Sequence, residues 1–342
     1  MADEAIGALE RRLFAPHPVR RFKRTSNKGR GCTVKRFAAI AAAAALLCGA
    51  AGMAAAKEIK VGFIATNFSA EAQARVANAF EKIAKDKKWD VKMLNSQGSI
   101  ETQSNQLENL FQMKVDAVVL AMAHPQEIRP ALDKLLGAKI PVITIDSGYV
   151  DGVVCDITSD NFAMGAKAST YLMDSLGGKG NIIVIKFEKH YGTRRRGKVF
   201  DAVLTEYPNI KVLAEYSVVA SKRFMDDTRS AMETYATRFG DQINGVWCAF
   251  DQLGYAAADV LAEHKMGNVV VVGVDGNQET FRRIGTGNMA ATVSQPFEDM
   301  AAKAASIVES MAVNGKTADD ATGGRKIIYM DAPLIDRNYL PK

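Results

Sequence analysis

Residues that carry out chemistry are scarce in this chain. Its four histidines, His17, His124, His190 and His264, lie far apart, and no pair has the spacing of metal ligands. Its four cysteines are just as dispersed. Cys32 and Cys48 fall in the first 56 residues, while Cys155 and Cys248 each sit inside an apolar run, which predicts two buried free thiols rather than a disulfide framework. There is no Gly-x-Ser-x-Gly elbow, no phosphate loop ending in Lys-Ser or Lys-Thr, and no dinucleotide fingerprint. Gly177-Gly178-Lys179-Gly180 leads into a strand pattern rather than a helix, so it reads as a turn. No nucleophile–base pair emerges. The sequence predicts no reaction, no cofactor and no metal.

A strong bulk charge is also missing from most of the chain. The net charge is +6, but residues 1–56 hold 10 Lys and Arg against 3 Asp and Glu. Residues 57–342 have 34 basic and 35 acidic side chains, a net of −1. That balance gives nucleic acid or any other polyanion no electrostatic footprint.

What is present, first, is an apolar leader. Lys35-Arg36 opens a run of alanine and leucine that ends in Ala54-Ala55-Ala56. A basic start, an apolar middle and a small-x-small end make a secretory signal peptide, cleaved before Lys57. The run is mostly alanine and glycine, weakly apolar for a membrane span, and Leu47 is too large for a lipid-attachment site at Cys48. Residues 1–34 show no apolar period. The sequence predicts that translation starts at Val34 and that the first 33 residues are not made.

Beyond the leader, Val- and Ile-rich runs at 59–65, 90–94, 116–122, 140–145, 152–156, 181–186, 210–214, 245–249, 268–273 and 289–293 alternate with segments of helical period. In residues 71–85, for example, Ala74, Val76, Ala79, Phe80 and Ile83 share one face. Strands apolar throughout, separated by helices, predict parallel sheets covered on both faces. Ten strands are too many for one small sheet, so the predicted fold is α/β with two doubly wound parallel-sheet lobes. No low-complexity linker separates them, so the lobes share crossovers. Ligands in such folds sit beyond the C-terminal ends of the strands, which singles out Thr66-Asn67-Phe68, Asp146-Ser147, Phe250-Asp251 and Asp275-Gly276.

Seven short motifs follow in order: Ile59-Lys60-Val61-Gly62-Phe63-Ile64, Asn95-Ser96-Gln97, Ile140-Pro141-Val142-Ile143-Thr144-Ile145-Asp146, Thr158-Ser159-Asp160-Asn161, Thr193-Arg194-Arg195-Arg196-Gly197, Val271-Val272-Gly273-Val274-Asp275-Gly276 and Ala291-Thr292-Val293-Ser294-Gln295. Each is weak alone; together, behind a signal peptide, they are specific. From residue 60 to about residue 330 the chain resembles the periplasmic sugar-binding proteins of ABC importers, the type I periplasmic binding proteins of the ribose-binding kind. The resemblance implies two lobes joined by a three-crossover hinge, with crossovers near Asp160-Asn161, near Gln295 and at 324–328. It divides the chain into a leader (1–56), an N-terminal lobe (57–160 plus 296–326) and a C-terminal lobe (161–295 plus 327–342). It also implies a monomeric periplasmic receptor that closes on a small neutral sugar or polyol and docks on an inner-membrane ABC permease. A sugar-signal receptor for a membrane sensor shares this fold. So does a LacI-type effector domain, which would need a DNA-binding motif where residues 1–56 show an apolar leader.

By the same resemblance, Asp146 and Asp275 accept sugar hydroxyls, Arg196 donates to ring and hydroxyl oxygens, and Gln295 reaches across the cleft from a hinge. Hydroxyls are donors and acceptors at once, and bonds from ionised partners are the stronger kind. Phe68 and Phe250 either cover the C–H face of the ligand or belong to the core. Asp251 either touches ligand or caps the helix that follows it. Asn67 and Tyr191 are further candidates, and His124 reads as a loop or cap residue. The chain also departs from the ribose pattern. Ala70, Ala72 and Gln73 stand where that pattern has an Asn and two Phe, Ser147 where an arginine follows the first carboxylate, and Phe250 where a cleft Asn precedes Asp251. These departures point away from ribose itself, towards another pentose, a hexose or a linear polyol.

Overall fold

The computed structural model describes residues 59–219 and 222–341. The leader, its cleavage at Ala56, the start at Val34, and Cys32 and Cys48 lie outside the described residues.

The first lobe opens with β1 (Lys60–Ala65), α1 (Glu71–Asp86), β2 (Asp90–Asn95), α2 (Ile100–Gln112), β3 (Ala117–Ala121), α3 (Arg129–Gly137), β4 (Val142–Ile145) and β5 (Cys155–Ser159). The second lobe follows with α4 (Asn161–Ser175), β6 (Lys179–Lys186), α5 (Tyr191–Leu204), β7 (Asn209–Ser217), α6 (Phe224–Phe239), β8 (Gly245–Cys248), α7 (Asp251–Glu263), β9 (Val270–Asp275), α8 (Gln278–Thr286) and β10 (Ala291–Ser294). The chain then returns through α9 (Phe297–Val308), α10 (Ala318–Thr322) and β11 (Ile327–Met330), and ends at β12 (Leu334–Asp336). Two six-stranded sheets result, ordered β11-β5-β4-β3-β1-β2 and β12-β10-β9-β8-β6-β7. All pairings are parallel except β10 with β12. This is the α/β fold of two doubly wound lobes.

The elements follow from the sequence in simple ways. β3 is buried at every residue, as a central parallel strand with helices on both faces must be. In α1, Ala72, Val76, Phe80 and Ala84 recur every fourth residue and are buried, and Phe80 meets Phe63 of β1 with ring centroids 5.2 Å apart. In the second lobe Phe200 of α5 packs on Trp247 of β8 at 4.9 Å. Cys155 and Cys248 are buried and free, one in each sheet. Burial pushes the Cys155 thiol up to about 12 and raises that of Cys248 too.

The chain passes between lobes three times. The first passage is at Asp160, whose carboxylate caps α4 by accepting from the N–H groups of Phe162 (2.9 Å) and Ala163 (3.1 Å). The second is at Gln295, between β10 and α9. The third lies at 331–333, between β11 and β12, later than the expected 324–328. The reason is pairing: Ile327–Met330 aligns with Asp156–Ser159 of β5, so 327–330 belongs to the first lobe and not to the second. The strand expected at 152–156 likewise starts three residues later, because Val153 and Val154 lie in the turn that leads into it.

Candidate functional site

Each lobe turns one carboxylate out of its sheet at a strand end. In the first lobe β4 ends at Ile145, and Asp146 takes a left-handed backbone, φ +44°. Behind it, the buried Asp156 of β5 accepts from Thr144 Oγ1 (2.8 Å) and from the N–H groups of Ser147 (3.2 Å) and Gly148 (3.1 Å). Burial pushes Asp156 up to about 6. In the second lobe β9 ends at Asp275, with φ +141°. Its turn is held by Asp251, which accepts from Thr280 Oγ1 (2.6 Å), Thr292 Oγ1 (2.7 Å) and the Asn277 N–H (3.1 Å). Positive φ at a non-glycine residue costs of order 1–3 kcal/mol and persists where the surroundings enforce it, often at ligand sites.

Arg196 of α5 lies between the two carboxylates and is 2% exposed. Its Nη1 donates to Ala249 O (3.0 Å) and reaches Asp275 Oδ1 (3.5 Å), while Nη2 is 3.9 Å from Asp146 Oδ2. Its Nε donates to Asn161 Oδ1 (2.8 Å), and Asn161 Nδ2 donates to Asp146 Oδ1 (2.8 Å). Thr158 Oγ1 also donates to Asp146 Oδ1 (2.7 Å). Gly165 makes this position of α5 possible. A Cβ there would stand 2.8 Å from both the Cα and the carbonyl oxygen of Arg196. Gln295 Nε2 donates to Asp275 Oδ1 (3.2 Å). Burial pushes the Asp275 carboxyl up to about 8, against the pull of Arg196.

Asp146, Arg196, Asp275 and Gln295 line a cavity between the lobes that opens to solvent; clefts of this kind are preferred small-molecule sites. Thr66, Asn67, Ala70, Ala72, Gln73, Met122 and His124 line it from the first lobe, and Phe187, His190, Thr193, Phe224 and Phe250 from the second. Phe250 meets Phe187 (6.0 Å) and Phe224 (5.5 Å) edge to face. His190 caps α5 by accepting the Gly192 N–H on Nδ1 (3.2 Å), which puts the ring proton on Nε2. Nε2 is buried without a hydrogen-bond partner, as is Gln295 Oε1. Burial pushes His190 down to about 4 and lowers His124, so both rings are neutral at pH 7.

The lobes meet beside the cavity. Arg75 Nη1 of α1 donates to Gly276 O (3.0 Å) and Asn277 Oδ1 (3.1 Å) across the cleft, while its Nη2 pairs with Glu298 Oε2 (2.7 Å). The Glu71 N–H donates to Gln252 Oε1 (2.7 Å). Among the described residues no group of three His, Cys, Asp or Glu side chains is arranged to hold a metal ion.

Of the residues singled out in the sequence, Asn67, Asp146, Arg196, Phe250, Asp275 and Gln295 line the cavity. Asp251 does not. It is wholly buried beneath the Asp275 turn, and its carboxylate is used by Thr280, Thr292 and Asn277. It does not cap α7 with its side chain either. Phe68 is also absent from the cavity wall and packs against the core of the first lobe. Sequence reasoning missed Phe187, His190 and Phe224. Phe187 and His190 follow the end of β6, where the strand-end rule, applied there, points to them; Phe224 lies in a loop-to-helix junction without a local signal.

Three kinds of likeness to known proteins bear on this geometry. The sequence profile described as periplasmic binding protein domain matches residues 61–317. Two curated relatives are the xylitol-binding protein of Mycolicibacterium smegmatis, 29% identical over 59% of this chain and 57% of that protein, and the D-apiose import binding protein of Paraburkholderia graminis, 27% identical over 83% and 90%. The alignment thus spans less than two thirds of the first relative and most of the second. A solved ABC sugar transporter subunit from Rhodobacter sphaeroides shares the fold, with a TM-score of 0.72, 20% identity, and coverage of 82% of this chain and 98% of that one.

Proposed function

This chain belongs to the periplasmic binding protein family, and from that premise we propose that it is a periplasmic receptor that closes its lobes around a small uncharged sugar or sugar alcohol and delivers it to an ABC permease of the inner membrane. One observation carries the reading: Arg196 stands between a carboxylate of each lobe, at 3.9 and 3.5 Å. A ligand whose hydroxyls donate to Asp146 and Asp275 and accept from the guanidinium between them ties the lobes together, so binding and closure are one event.

The charge balance supports an uncharged guest. Burial raises the Asp275 carboxyl against the pull of Arg196, the Asp146 carboxylate faces the Arg196 guanidinium, and burial lowers both His124 and His190. An anion or cation entering this buried site would lack a counter-charge. The names of the two curated relatives, which refer to xylitol and D-apiose, agree with a polyhydroxylated solute. The receptor acts as a monomer, performs no reaction and needs no cofactor. The leader at 35–56 directs it across the inner membrane.

A thermal-shift screen of the purified protein against pentoses, hexoses and polyols tests this. A cognate compound at 100 times its Kd stabilises the folded state by about 2.7 kcal/mol and raises the melting temperature. No response to any neutral polyhydroxy compound, with a clear response to an amino acid or an anion, contradicts the reading.

A further inference from the structure

The cavity wall divides into two contiguous patches of opposite character. The polar patch is Asp146, Arg196, Asp275 and Gln295, joined by the contacts given above, with His190 beside them. Its unused capacity is small and defined. His190 Nε2 and Gln295 Oε1 are buried without partners, and Asp146 Oδ2 is beyond hydrogen-bond distance of Arg196 Nη2. The other patch is Phe187 and Phe250, from the loops after β6 and β8, and Phe224, from the first turn of α6, packed edge to face. From the first lobe come Ala70, Ala72 and Met122 together with the polar Thr66, Asn67, Gln73 and His124. Even the nearby Thr66 hydroxyl is already committed, donating to Met122 O (2.5 Å) and accepting from Gln103 Nε2 (3.2 Å).

We propose, building on the receptor reading above, that the solute is an amphipathic sugar: hydroxyls along one edge meet the polar patch, and a deoxygenated, methyl-type end meets the Phe187–Phe224–Phe250 cluster. A hydroxyl placed against those three rings would be stripped of water with no partner. A C–H end removes apolar surface from water at the same place. The distinction is one hydroxyl, and an apolar pocket rejects a single added hydroxyl by about 10- to 100-fold.

Isothermal titration with matched pairs reads this directly: D-ribose against 5-deoxy-D-ribose, L-galactose against L-fucose, and L-mannose against L-rhamnose, with xylitol and allitol as fully hydroxylated references. The expected result is that the deoxy member of the best-bound pair binds at least about tenfold more tightly than its parent. In that pair, Phe187→Asn brings the ratio close to one; if that variant does not fold, Phe250→Asn serves instead. Parents or references that bind as tightly as the deoxy compounds overturn the inference and leave the receptor reading standing, as does a ratio that survives both substitutions. A protein that binds none of these compounds but responds to another neutral polyhydroxy compound in the wider screen overturns the inference alone; one that responds only to an amino acid or an anion overturns both.

Discussion

The two lobes solve one problem with different parts. Each must hold a carboxylate rigidly at the end of a parallel strand, in a backbone conformation that a non-glycine residue resists. Each does so by burying a second carboxylate beneath the turn to collect its N–H groups. In the first lobe the brace is Asp156, from the neighbouring strand β5, taking Ser147 and Gly148. In the second it is Asp251, from the first turn of α7, taking Asn277. A carboxylate that accepts several bonds at once can replace much of its lost hydration, so the brace tolerates full burial. The comparison also shows where the lobes differ. The second adds the aromatic wall and the guanidinium, while the first adds Ala70 and Ala72 beside the polar Asn67, Gln73 and His124.

The largest effect is expected where both lobes depend on one group. Arg196→Met leaves Asp146 without its facing cation and removes the contact to Asp275; truncating one partner of a buried, hydrogen-bonded charge pair at a binding site costs about 2–5 kcal/mol of affinity. Solute binding measured by titration should fall several-hundred-fold or more. A variant that binds like the parent would break the symmetry argument at its centre.

The carboxylates themselves should not be equivalent. Burial raises the Asp275 carboxyl and favours its neutral form, so Asp275→Asn should change affinity less than Asp146→Asn does. Asp146→Asn leaves the guanidinium facing a neutral amide and should weaken binding about tenfold or more, in line with the 1.5–3 kcal/mol of a hydrogen bond to a charged group. Equal losses in both variants would remove the distinction between the lobes.

The same asymmetry has a pH signature. A carboxyl raised to about 8 binds its proton more tightly in the folded state, so its contribution is complete below its ordinary range near 4 and is lost as pH rises through 8. Asp156, raised to about 6, acts in the same direction but over a lower range. His190, lowered to about 4, costs stability as pH falls below 6.5 and is silent above it. Between pH 6.5 and 8 the melting temperature of the unliganded protein should therefore fall, and Asp275→Asn should flatten that slope. A slope unchanged in the variant would assign it elsewhere.

A smaller loss, about 3- to 10-fold in affinity, is expected from Gly165→Ala, because its Cβ displaces the Arg196 backbone and a shift of this kind degrades positioning. The displacement should be visible in a structure of the variant.

Much of this fold was legible in the chain. Buried parallel strands announce themselves as Val and Ile runs, and ten of them were found. The rest were lost for physical reasons. β11 and β12 are mostly half-exposed edge strands rather than buried runs, and they form only because the chain returns to two existing sheet edges. The site was legible where a strand ends in a carboxylate, as at Asp146 and Asp275. It was not legible where burial depends on tertiary contacts. Asp251 follows a strand just as Asp275 ends one, and only the packing of Thr280 and Thr292 around it makes it a brace rather than a wall. Phe187, Phe224 and Phe250 come together from two loops and the start of α6, far apart in sequence, and no local pattern marks a ring for a cavity rather than for a core, as Phe68 illustrates.

The central claim is that one guest engages Asp146, Arg196 and Asp275 together and so joins the lobes. A crystal structure with the tightest-binding neutral solute tests it most directly. The account predicts solute hydroxyls within hydrogen-bond distance of all three side chains in a closed cleft. A solute held by one lobe alone, or bound away from Arg196, would contradict it.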